Sequence, residues 1–381
     1  MKIKNIEKAS ERIKKAVEND EQIIIFADSD LDGAASATIL KETIDNLNYS
    51  KTKVLFPDRR KEGYGLNKDV LEIITSEFKK GLLITLDCGI TNYEEIKIAR
   101  QKGFNVIIVD HHKEVGDRVP EADIIVNPKQ KTDDYPFKEY ANAGITFLLS
   151  EEILGKNMSS LLRESFLELT ALATISDMMI EIEDNKEFII QGLSSIERSE
   201  RPALKAIMSF LRKFNSKRDM ISKINSILNS AKIKDHVIAS YLLLTESNLE
   251  KAKIIAKDLI EETESKHREI NALTDEIKNK FLNNPLKIIF DGSSKWEIEY
   301  LGSVASRLCN YFDKPVFIYQ KYDQLSRGTV RVPKKHDAVK AMEKCSELLK
   351  TFGGHAPAAG FTIKNENIQK FEQCLLEYFE K

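Results

Sequence analysis

The sequence predicts an α/β protein in three parts: an N-terminal doubly wound parallel sheet, a helical connector and a smaller C-terminal α/β domain. Short apolar runs alternate with helix-like segments over residues 1 to about 130, and four of the five runs end in aspartate. Alternation of this kind is typical of a parallel sheet with helices on both faces. A second block of strand-like and helix-like segments follows Pro285.

We assign buried strands to the five apolar runs and helices to the segments 33–47 and 92–103. The runs are short and rich in Ile, Val and Leu, as strands buried on both faces are. In open α/β sheets, ligands bind outside the carboxyl ends of the strands, so the aspartates mark the expected site. The five strands are predicted at residues 22–28, 53–58, 82–87, 105–110 and 123–128.

The rest of the chain is predicted to be helical first and mixed afterwards. Residues 131 to about 245 are mostly helical in pattern, and 249–283 forms one long charged helix with apolar residues at 3–4 spacing. The predicted domains are 1–200, a helical region at 201–284, and 285–381. In the last domain we expect strands at 286–292, 315–321 and 328–332, helices at 302–312 and 337–351, then the segment 353–363 and a final helix.

Composition indicates a globular protein and excludes several classes. Of 381 residues, 42% are hydrophobic and 31% charged, so the chain is not of the disordered class. The formal net charge of −2 excludes a protein that is basic overall, and a polyanion would need local basic groups or bound cations. The amphipathic N-terminus is no signal peptide, and no apolar window is long enough to span a membrane. The four cysteines suggest neither a disulfide framework nor a zinc site, and we expect a cytoplasmic protein.

Three aspartates follow the first predicted strand at every second position. Asp28, Asp30 and Asp32 would repel one another unless a cation neutralised them. Asp30 and Asp32 point the same way in an extended segment, and the small residues after them open a helix. The alternative interpretation is a turn with an aspartate as N-cap.

Further acidic and imidazole groups follow later apolar runs. Asp87 ends the third run, Asp110, His111 and His112 follow the fourth, and Asp177 ends another run in the helical region. Each could alone be a helix cap or an incidental residue. Adjacent histidines in an extended segment point in opposite directions, so one could bind metal while the other faces substrate. Together the groups could supply ligands for two divalent ions, the arrangement used for phosphoryl hydrolysis.

The motifs in this order resemble the DHH phosphoesterase superfamily. They are DSDLDG at 28–33, LDCGI at 86–90, DHH at 110–112 and ISDMM at 175–179, and FGGHAPAAGF at 352–361 resembles the DHH-associated C-terminal domain. Within the superfamily the chain is most similar to the RecJ-like single-strand-specific exonucleases. The supporting segments are 57–67, 123–130, 169–179, 189–193 and 302–308.

The resemblance implies roles for individual residues. Asp110 would orient His111 or itself touch metal, and His112 would face the scissile phosphate, which makes Asp110 and His112 the catalytic candidates. The metal-ligand candidates, with Asp87 as the bridging one, are Asp28, Asp30, Asp32, Asp87, His111 and Asp177.

The resemblance also implies substrate-binding residues. Arg59, Thr329 and Arg331 match a pocket for a 5′ phosphate, which arginine suits through its bidentate fork. The strand-binding loop corresponds to Gly353, Gly354 and His355, and Arg307 is a further candidate contact. For the arginines, a surface ion pair is the alternative.

The sequence departs from the RecJ pattern at three places. Phe26 stands where some relatives in the superfamily carry a histidine ligand. RecJ-like members often lack this histidine too, so Phe26 favours the RecJ resemblance and leaves Asp28 as the substitute ligand. The stretch NSAKI at 229–233 replaces an NAAGR-like motif, with Lys232 near the arginine position. We also expect a two-domain form without an additional OB-fold domain.

The function expected from this resemblance is 5′-to-3′ hydrolysis of single-stranded DNA to mononucleotides, within DNA repair and recombination. Two divalent ions would assist, with Mn²⁺ favoured and Mg²⁺ as the second choice. A replication or repair protein is the expected protein partner, and no membrane is involved. The alternatives are an exonuclease for short oligonucleotides or RNA, or a non-catalytic replication subunit. Substrate length separates the enzymes, and intact acidic groups argue against the subunit.

Overall fold

The computed structural model describes residues 2–59, 61–114, 116, 118–211, 214–229 and 232–379. It divides into two compact units, Met1–Glu261 and Glu262–Lys381. The three-part division at residues 200 and 284 stays a prediction. Residue 60 of the segment 57–67, and residues 230 and 231 of the stretch 229–233, lie outside the described residues.

The first unit contains the predicted parallel sheet. Its five strands pair in the order β2-β1-β3-β4-β5, all in parallel register. Each strand lies within one of the five predicted runs or overlaps at least half of it, so the doubly wound sheet is confirmed. The strands are β1 (Ile23–Ala27), β2 (Thr52–Leu55), β3 (Gly81–Leu86), β4 (Phe104–Val109) and β5 (Ile124–Val126).

Helices cover both faces of this sheet because successive strand residues point to opposite sides. In β1, Ile23 and Ile25 pack in the cluster that includes the helices α1, α2 and α5. Their neighbours Ile24 and Phe26 pack in a second cluster with α3 and α4. The helices are α1 (Ile6–Glu18), α2 (Leu31–Asp45), α3 (Lys68–Glu77), α4 (Tyr93–Gln101) and α5 (Asn142–Leu154).

The region after α5 is mostly helical, as predicted, apart from a short hairpin. Gly192 lets α6 and α7 approach closely, because a Cβ atom there would overlap the carbonyl oxygen of Leu167. The elements are α6 (Ser160–Ser176), α7 (Glu183–Ser195), α8 (Pro202–Phe210), α9 (Lys217–Leu228), the strands β6 (Ile233–Lys234) and β7 (Val237–Ile238), α10 (Ala239–Thr245) and the long helix α11 (Leu249–Phe281). Among the described helices, none has the length and apolar character needed to cross a membrane.

The second unit is a smaller mixed sheet with helices. Its strands pair in the order β11-β12-β10-β9-β8, with β8 and β9 parallel and the other pairs antiparallel. The elements are β8 (Ile289–Ser293), α12 (Ile298–Phe312), β9 (Val316–Lys321), β10 (Leu325–Arg331), α13 (Ala338–Lys344), β11 (Leu349–His355), β12 (Ala358–Lys364) and α14 (Ile368–Phe379).

Two expectations for the second unit are wrong. The helix predicted at 337–351 ends at Lys344, and β11 begins at Leu349. Thr351 and Phe352 suit a strand paired with β12, and the two glycines after them disfavour a helix. Cys345 and Cys374 form a disulfide, although the sequence suggested none. They are 29 residues apart, and the folding of α13 and α14 brings them together, which cysteine spacing alone does not reveal.

Candidate metal centre

The loop after β1 places three carboxylates at the start of α2. Asp28 and Asp32 are buried, with 1% and 2% of their surface exposed. Asp30 is the N-cap of α2, and its Oδ1 accepts a hydrogen bond from the backbone N–H of Gly33 at 3.1 Å. A Cβ atom on Gly33 would overlap the carbonyl oxygen of Asp28, so this turn requires glycine. The N-cap interpretation therefore holds for Asp30 alone.

The N-terminus of α5 holds the carboxylate of Asp32. Its two oxygens accept hydrogen bonds from the backbone N–H groups of Asn142 and Ala143, both at 2.7 Å. A helix N-terminus favours an anion at this position. Burial and repulsion from Asp177 and Asp30 nevertheless raise the pKa of Asp32. Sequence reasoning missed Asn142 and Ala143, which lie about 110 residues from Asp32 and carry no motif that would pair them with it.

Asp87 lies at the end of β3 in the left-handed backbone region, with φ of 60°. Only 2% of its surface is exposed, and its Oδ1 accepts no hydrogen bond from the described residues. Burial and the negative charges of Asp32, Asp30 and Asp110 raise the pKa of Asp87. A buried oxygen in this condition needs a cation or a proton to be stable.

The imidazole of His111 faces these carboxylates. Its Nδ1 donates a hydrogen bond to the carbonyl oxygen of Tyr140 at 2.8 Å, which leaves Nε2 without a proton in the neutral ring. Nε2 lies 3.2 Å from Oδ1 of Asp87, 3.7 Å from Oδ2 of Asp177 and 4.0 Å from Oδ2 of Asp32. Burial, with a further contribution from His112, lowers the pKa of His111 to about 4. A neutral lone pair aimed at carboxylate oxygens is the arrangement that a metal ion would stabilise.

Asp110 stabilises the loop after β4. Its Oδ1 accepts hydrogen bonds from the backbone N–H groups of His111 at 2.7 Å and His112 at 2.9 Å, and from Nδ1 of His112 at 2.8 Å. Its Oδ2 accepts from the backbone N–H of Ile90 at 3.0 Å. Burial alone would raise the pKa of Asp110, but these bonds and the charge of His112 lower it. Asp110 thus orients the ring of His112, whereas Tyr140 orients the ring of His111.

His112 lies at the open side of the site, with 44% of its side chain exposed. Burial would lower its pKa, but the hydrogen bond and charge of Asp110 raise it. The hydroxyl of Tyr64 lies 3.2 Å from Nδ1 of His112 and donates to the carbonyl oxygen of Asp87 at 2.8 Å. Sequence reasoning did not single out Tyr64, although it lies in the segment 57–67 used for the resemblance.

Asp177 follows α6 and completes the cluster. Its Oδ2 is buried and has no hydrogen-bond donor in the described part of the chain. Burial and the charge of Asp30 raise the pKa of Asp177 to about 6. Asp87 Oδ1 and Asp177 Oδ2 are thus two buried carboxylate oxygens of this site that accept no hydrogen bond from the described residues.

The structure brings all six predicted metal ligands, and His112, into three groups. Within each group the candidate ligand atoms lie within 4.8 Å of one another. Carboxylate and imidazole donors together suit divalent transition metals such as Mn²⁺. Asp87 belongs to two groups and His111 to two. The groups are Asp28 with Asp30 and Asp87, Asp32 with His111 and Asp177, and Asp87 with His111 and His112.

Arg59 contacts this centre instead of standing apart from it. Its Nε donates to Oδ1 of Asp28 at 2.9 Å, and its Nη2 donates to Oδ2 of Asp30 at 3.0 Å. Its guanidinium lies 5.6 Å from the ring centre of Tyr64. The positive charge offsets part of the repulsion between the two carboxylates. Arg59 therefore forms the ion pair that was the alternative interpretation, and it also lies beside the candidate metal centre.

In the second unit, Thr329 and Arg331 lie side by side on β10. Arg331 donates from Nη1 to Oγ1 of Thr329 at 3.0 Å and from Nε to Oγ of Ser306 at 3.1 Å. Ser306 is an addition that sequence reasoning missed within the segment 302–308. Arg307 is not part of this cluster and instead donates a hydrogen bond to Asn271 on α11.

The other predicted substrate residues lie at the edge of the second sheet. Gly353, Gly354 and His355 are exposed and form the end of β11, which is the edge strand. A Cβ atom on Gly353 would meet nothing within 4 Å, so the backbone there is open to close approach. One side of an edge strand offers unpaired backbone N–H groups.

Comparison with known proteins matches both units. The model of the DHH family N-terminal domain matches residues 22–174, and the model of the DHHA1 domain matches residues 278–381. Similar proteins include the single-stranded-DNA-specific exonucleases RecJ of Bacillus subtilis and Escherichia coli. The Bacillus protein is 29% identical, over 98% of this chain and 48% of its own length. The Escherichia coli protein is 27% identical, over 97% of this chain and 68% of its own length. The chain thus spans about half the length of the Bacillus relative.

Solved structures show the same fold. A crystal structure of exonuclease RecJ bound to manganese superposes with a TM-score of 0.83 at 24% identity, covering 100% of this chain and 96% of that one. RecJ from Thermus thermophilus in complex with Mn²⁺ gives 0.81 at 23% identity, with 100% and 55% coverage. The chain thus resembles the DHH family over residues 22–174 and the DHHA1 domain over residues 278–381, and its fold is that of the RecJ structures.

Proposed function

We propose that the chain is a metal-dependent, RecJ-like exonuclease that hydrolyses single-stranded DNA from the 5′ end and releases mononucleotides. The observation that carries the proposal is the lone pair of His111 Nε2 directed at the buried, unsatisfied oxygens of Asp87 and Asp177. The matched relatives named as single-stranded-DNA-specific exonucleases support the substrate.

Two divalent ions, Mn²⁺ by preference, would supply a nucleophilic water and neutralise the leaving oxygen. Asp28 and Asp30 would hold one ion and His111 and Asp177 the other. Asp87 would lie between the ions because it groups with Asp28 and Asp30 on one side and with His111 on the other, where its Oδ1 lies 3.2 Å from Nε2 of His111. Asp32 completes the second set, and its position is fixed by its bonds to the N-terminus of α5.

His112 would bind a non-bridging oxygen of the scissile phosphate. Asp110 orients its ring through Nδ1, so Nε2, which lies 3.4 Å from the hydroxyl of Tyr64, is the nitrogen that would contact substrate. The raised pKa of His112 favours the charged form, which suits contact with an anion. Asp110 acts in this scheme as the group that orients His112.

The second unit would bind the end of the strand. Arg331, with Thr329 and Ser306 around its guanidinium, offers the fork that a terminal 5′ phosphate needs. Gly353, Gly354 and His355 would hold the strand at the open edge of β11. Arg307 is the weakest of these candidates because its guanidinium already bonds Asn271.

The proposal is tested by digesting a 20-nucleotide single-stranded DNA in Mn²⁺, labelled at the 5′ or the 3′ end. A matched RNA and a trinucleotide are digested in parallel. Immediate release of labelled mononucleotide from the 5′-labelled DNA is the expected result. Release from the trinucleotide or the RNA alone would instead assign the protein to short-oligonucleotide or RNA turnover, and release from the 3′ end alone would overturn the polarity.

A further inference from the structure

We propose that a cavity beside the metal centre binds one nucleobase of the strand, next to the scissile phosphate, through Asn225. We call it the α9 cavity, bounded by the end of α6, by α7 and by α9. The inference rests on the proposed function, since it assigns part of the same substrate to a second set of residues.

The α9 cavity has the size and the walls of a base-binding site. Its volume is about 580 Å³, within the range of small-molecule pockets. One wall is apolar and can pack against the face of an aromatic ring. This wall consists of Ile175, Ile189, Leu193 and Ile221.

Asn225 provides an unsatisfied polar group in this wall. Only 7% of its surface is exposed, and its Nδ2 donates a hydrogen bond to the carbonyl oxygen of Leu172 at 3.1 Å. That bond fixes the amide, so Oδ1 is the atom left over, and it accepts nothing from the residues described in the structure. A buried acceptor of this kind calls for a donor from a ligand. Every nucleobase carries at least one N–H donor, so Asn225 would bind a base without selecting its identity.

One end of the α9 cavity adjoins the candidate metal centre through residues next to its ligands. Ser176 lines the cavity and directly precedes Asp177. Asn229 also lines it, donating from Nδ2 to Oγ of Ser176 at 3.0 Å and accepting at Oδ1 from the backbone N–H of Leu31 at 3.0 Å. Leu31 lies between two of the aspartate ligands. A nucleotide with its phosphate at the metal centre would therefore have its base directed into the cavity.

The far end of the α9 cavity is basic. Lys217 and Arg218 are exposed in the first turn of α9 and line the cavity. This helix has 12 residues and is about 18 Å long, so these charges are positioned for a later phosphate of the same strand. Glu181 is the one carboxylate among the described lining residues.

Calorimetric titration of the full chain in Mn²⁺ tests the base contact. The ligands are deoxyadenosine 5′-monophosphate and deoxyribose 5-phosphate, which lacks the base. Wild type should bind the nucleotide more tightly than deoxyribose 5-phosphate, and the ratio of the two affinities is the advantage that the base confers. Asn225→Leu should reduce this advantage by about three- to tenfold, the value of one hydrogen bond. Ser222→Trp, at an exposed lining position, should abolish it, and Lys186→Ala, an exposed lysine of α7 outside the lining, should leave it unchanged.

The same advantage in wild type, Asn225→Leu and Ser222→Trp, or no advantage in wild type, would overturn the proposal. Because no bond is cleaved in this titration, its outcome is independent of the exonuclease assay, and either can fail alone.

A second measurement uses the salt dependence of binding to a 20-nucleotide DNA. The double variant Lys217→Ala/Arg218→Ala should reduce the slope of log affinity against log salt by about 1.4, with Lys186→Ala unchanged. An unaltered slope would contradict the proposal that the strand runs along α9 past Lys217 and Arg218.

Discussion

Nδ1 of His111 donates a hydrogen bond to the carbonyl oxygen of Tyr140 at 2.8 Å, and this bond determines which nitrogen faces the metal centre. The hydroxyl of Tyr140 in turn donates to Asp184 at the start of α7, and Tyr135 donates to the same carboxylate at 3.0 Å. The orientation of the candidate ligand His111 therefore depends on residues outside the candidate ligand groups, as the orientation of imidazoles in metal sites does.

The variant Tyr140→Phe should weaken Mn²⁺ binding by about tenfold, since the loop that carries the carbonyl loses its bond to Asp184. The free energy of unfolding should fall by about 1 kcal/mol for the lost hydrogen bond. The matched control is Tyr135→Phe, which removes a bond to the same carboxylate from a residue whose carbonyl does not contact His111. Calorimetric Mn²⁺ titration of both variants makes the comparison, and equal affinities would contradict the orienting role.

The variant Asp87→Asn should lose turnover by about two to three orders of magnitude or more, the cost typical of removing one essential polar group. In metal-free protein the same change should raise the melting temperature, because it removes a buried negative charge beside Asp32 and Asp30. Added Mn²⁺ should raise the melting temperature of wild type by linkage and leave that of Asp87→Asn nearly unchanged.

Asp258→Asn is the control for this experiment, since Asp258 is an exposed aspartate of α11. It should keep both the turnover and the Mn²⁺-dependent rise in melting temperature. If Asp87→Asn regained activity after chelator treatment and resupply of Mn²⁺, Asp87 would not be the bridging ligand.

The variant Gly33→Ala should displace the aspartate loop, because its Cβ atom would overlap the carbonyl oxygen of Asp28. We expect a loss of about 1–3 kcal/mol in the free energy of unfolding, with loss of the Mn²⁺-dependent stabilisation. Gly302→Ala in α12 is the control, since its Cβ atom would lie 3.5 Å from the flexible end of Arg331. That variant should keep the response to Mn²⁺.

The sheet and the cluster of acidic residues could be predicted from the sequence, because each strand and the aspartate that follows it are adjacent in the chain. Contacts between distant segments could not be predicted in this way. The bond from Asn142 to Asp32 spans 110 residues, and the disulfide joins the residue after α13 to α14, which meet only in the folded unit. Asn225 lies in no sequence motif. Its Oδ1 is left without a donor because the packing of α9 against α6 directs Nδ2 to the carbonyl oxygen of Leu172.

The variant Arg331→Lys should reduce the preference for a 5′-phosphorylated over a 5′-hydroxyl 20-nucleotide DNA by about tenfold, since lysine lacks the planar fork that binds phosphate through two bonds. Arg307→Lys is the matched control because the guanidinium of Arg307 bonds Asn271 and lies outside the cluster of Thr329 and Ser306. It should keep the preference. Initial rates on the two substrates give the ratio, and a normal ratio in Arg331→Lys would place the phosphate pocket elsewhere.

Reduction of the disulfide between Cys345 and Cys374 should destabilise the second unit. The bond closes a loop of 29 residues, for which the chain-entropy model gives about 3–4 kcal/mol. The melting temperature of wild type should therefore fall in reductant, and that of Cys374→Ser should not change further. Thiol titration of unfolded wild type provides the independent check. It should find only the thiols of Cys88 and Cys309 before reduction, and reactive thiols at all four positions would show that the bond does not form.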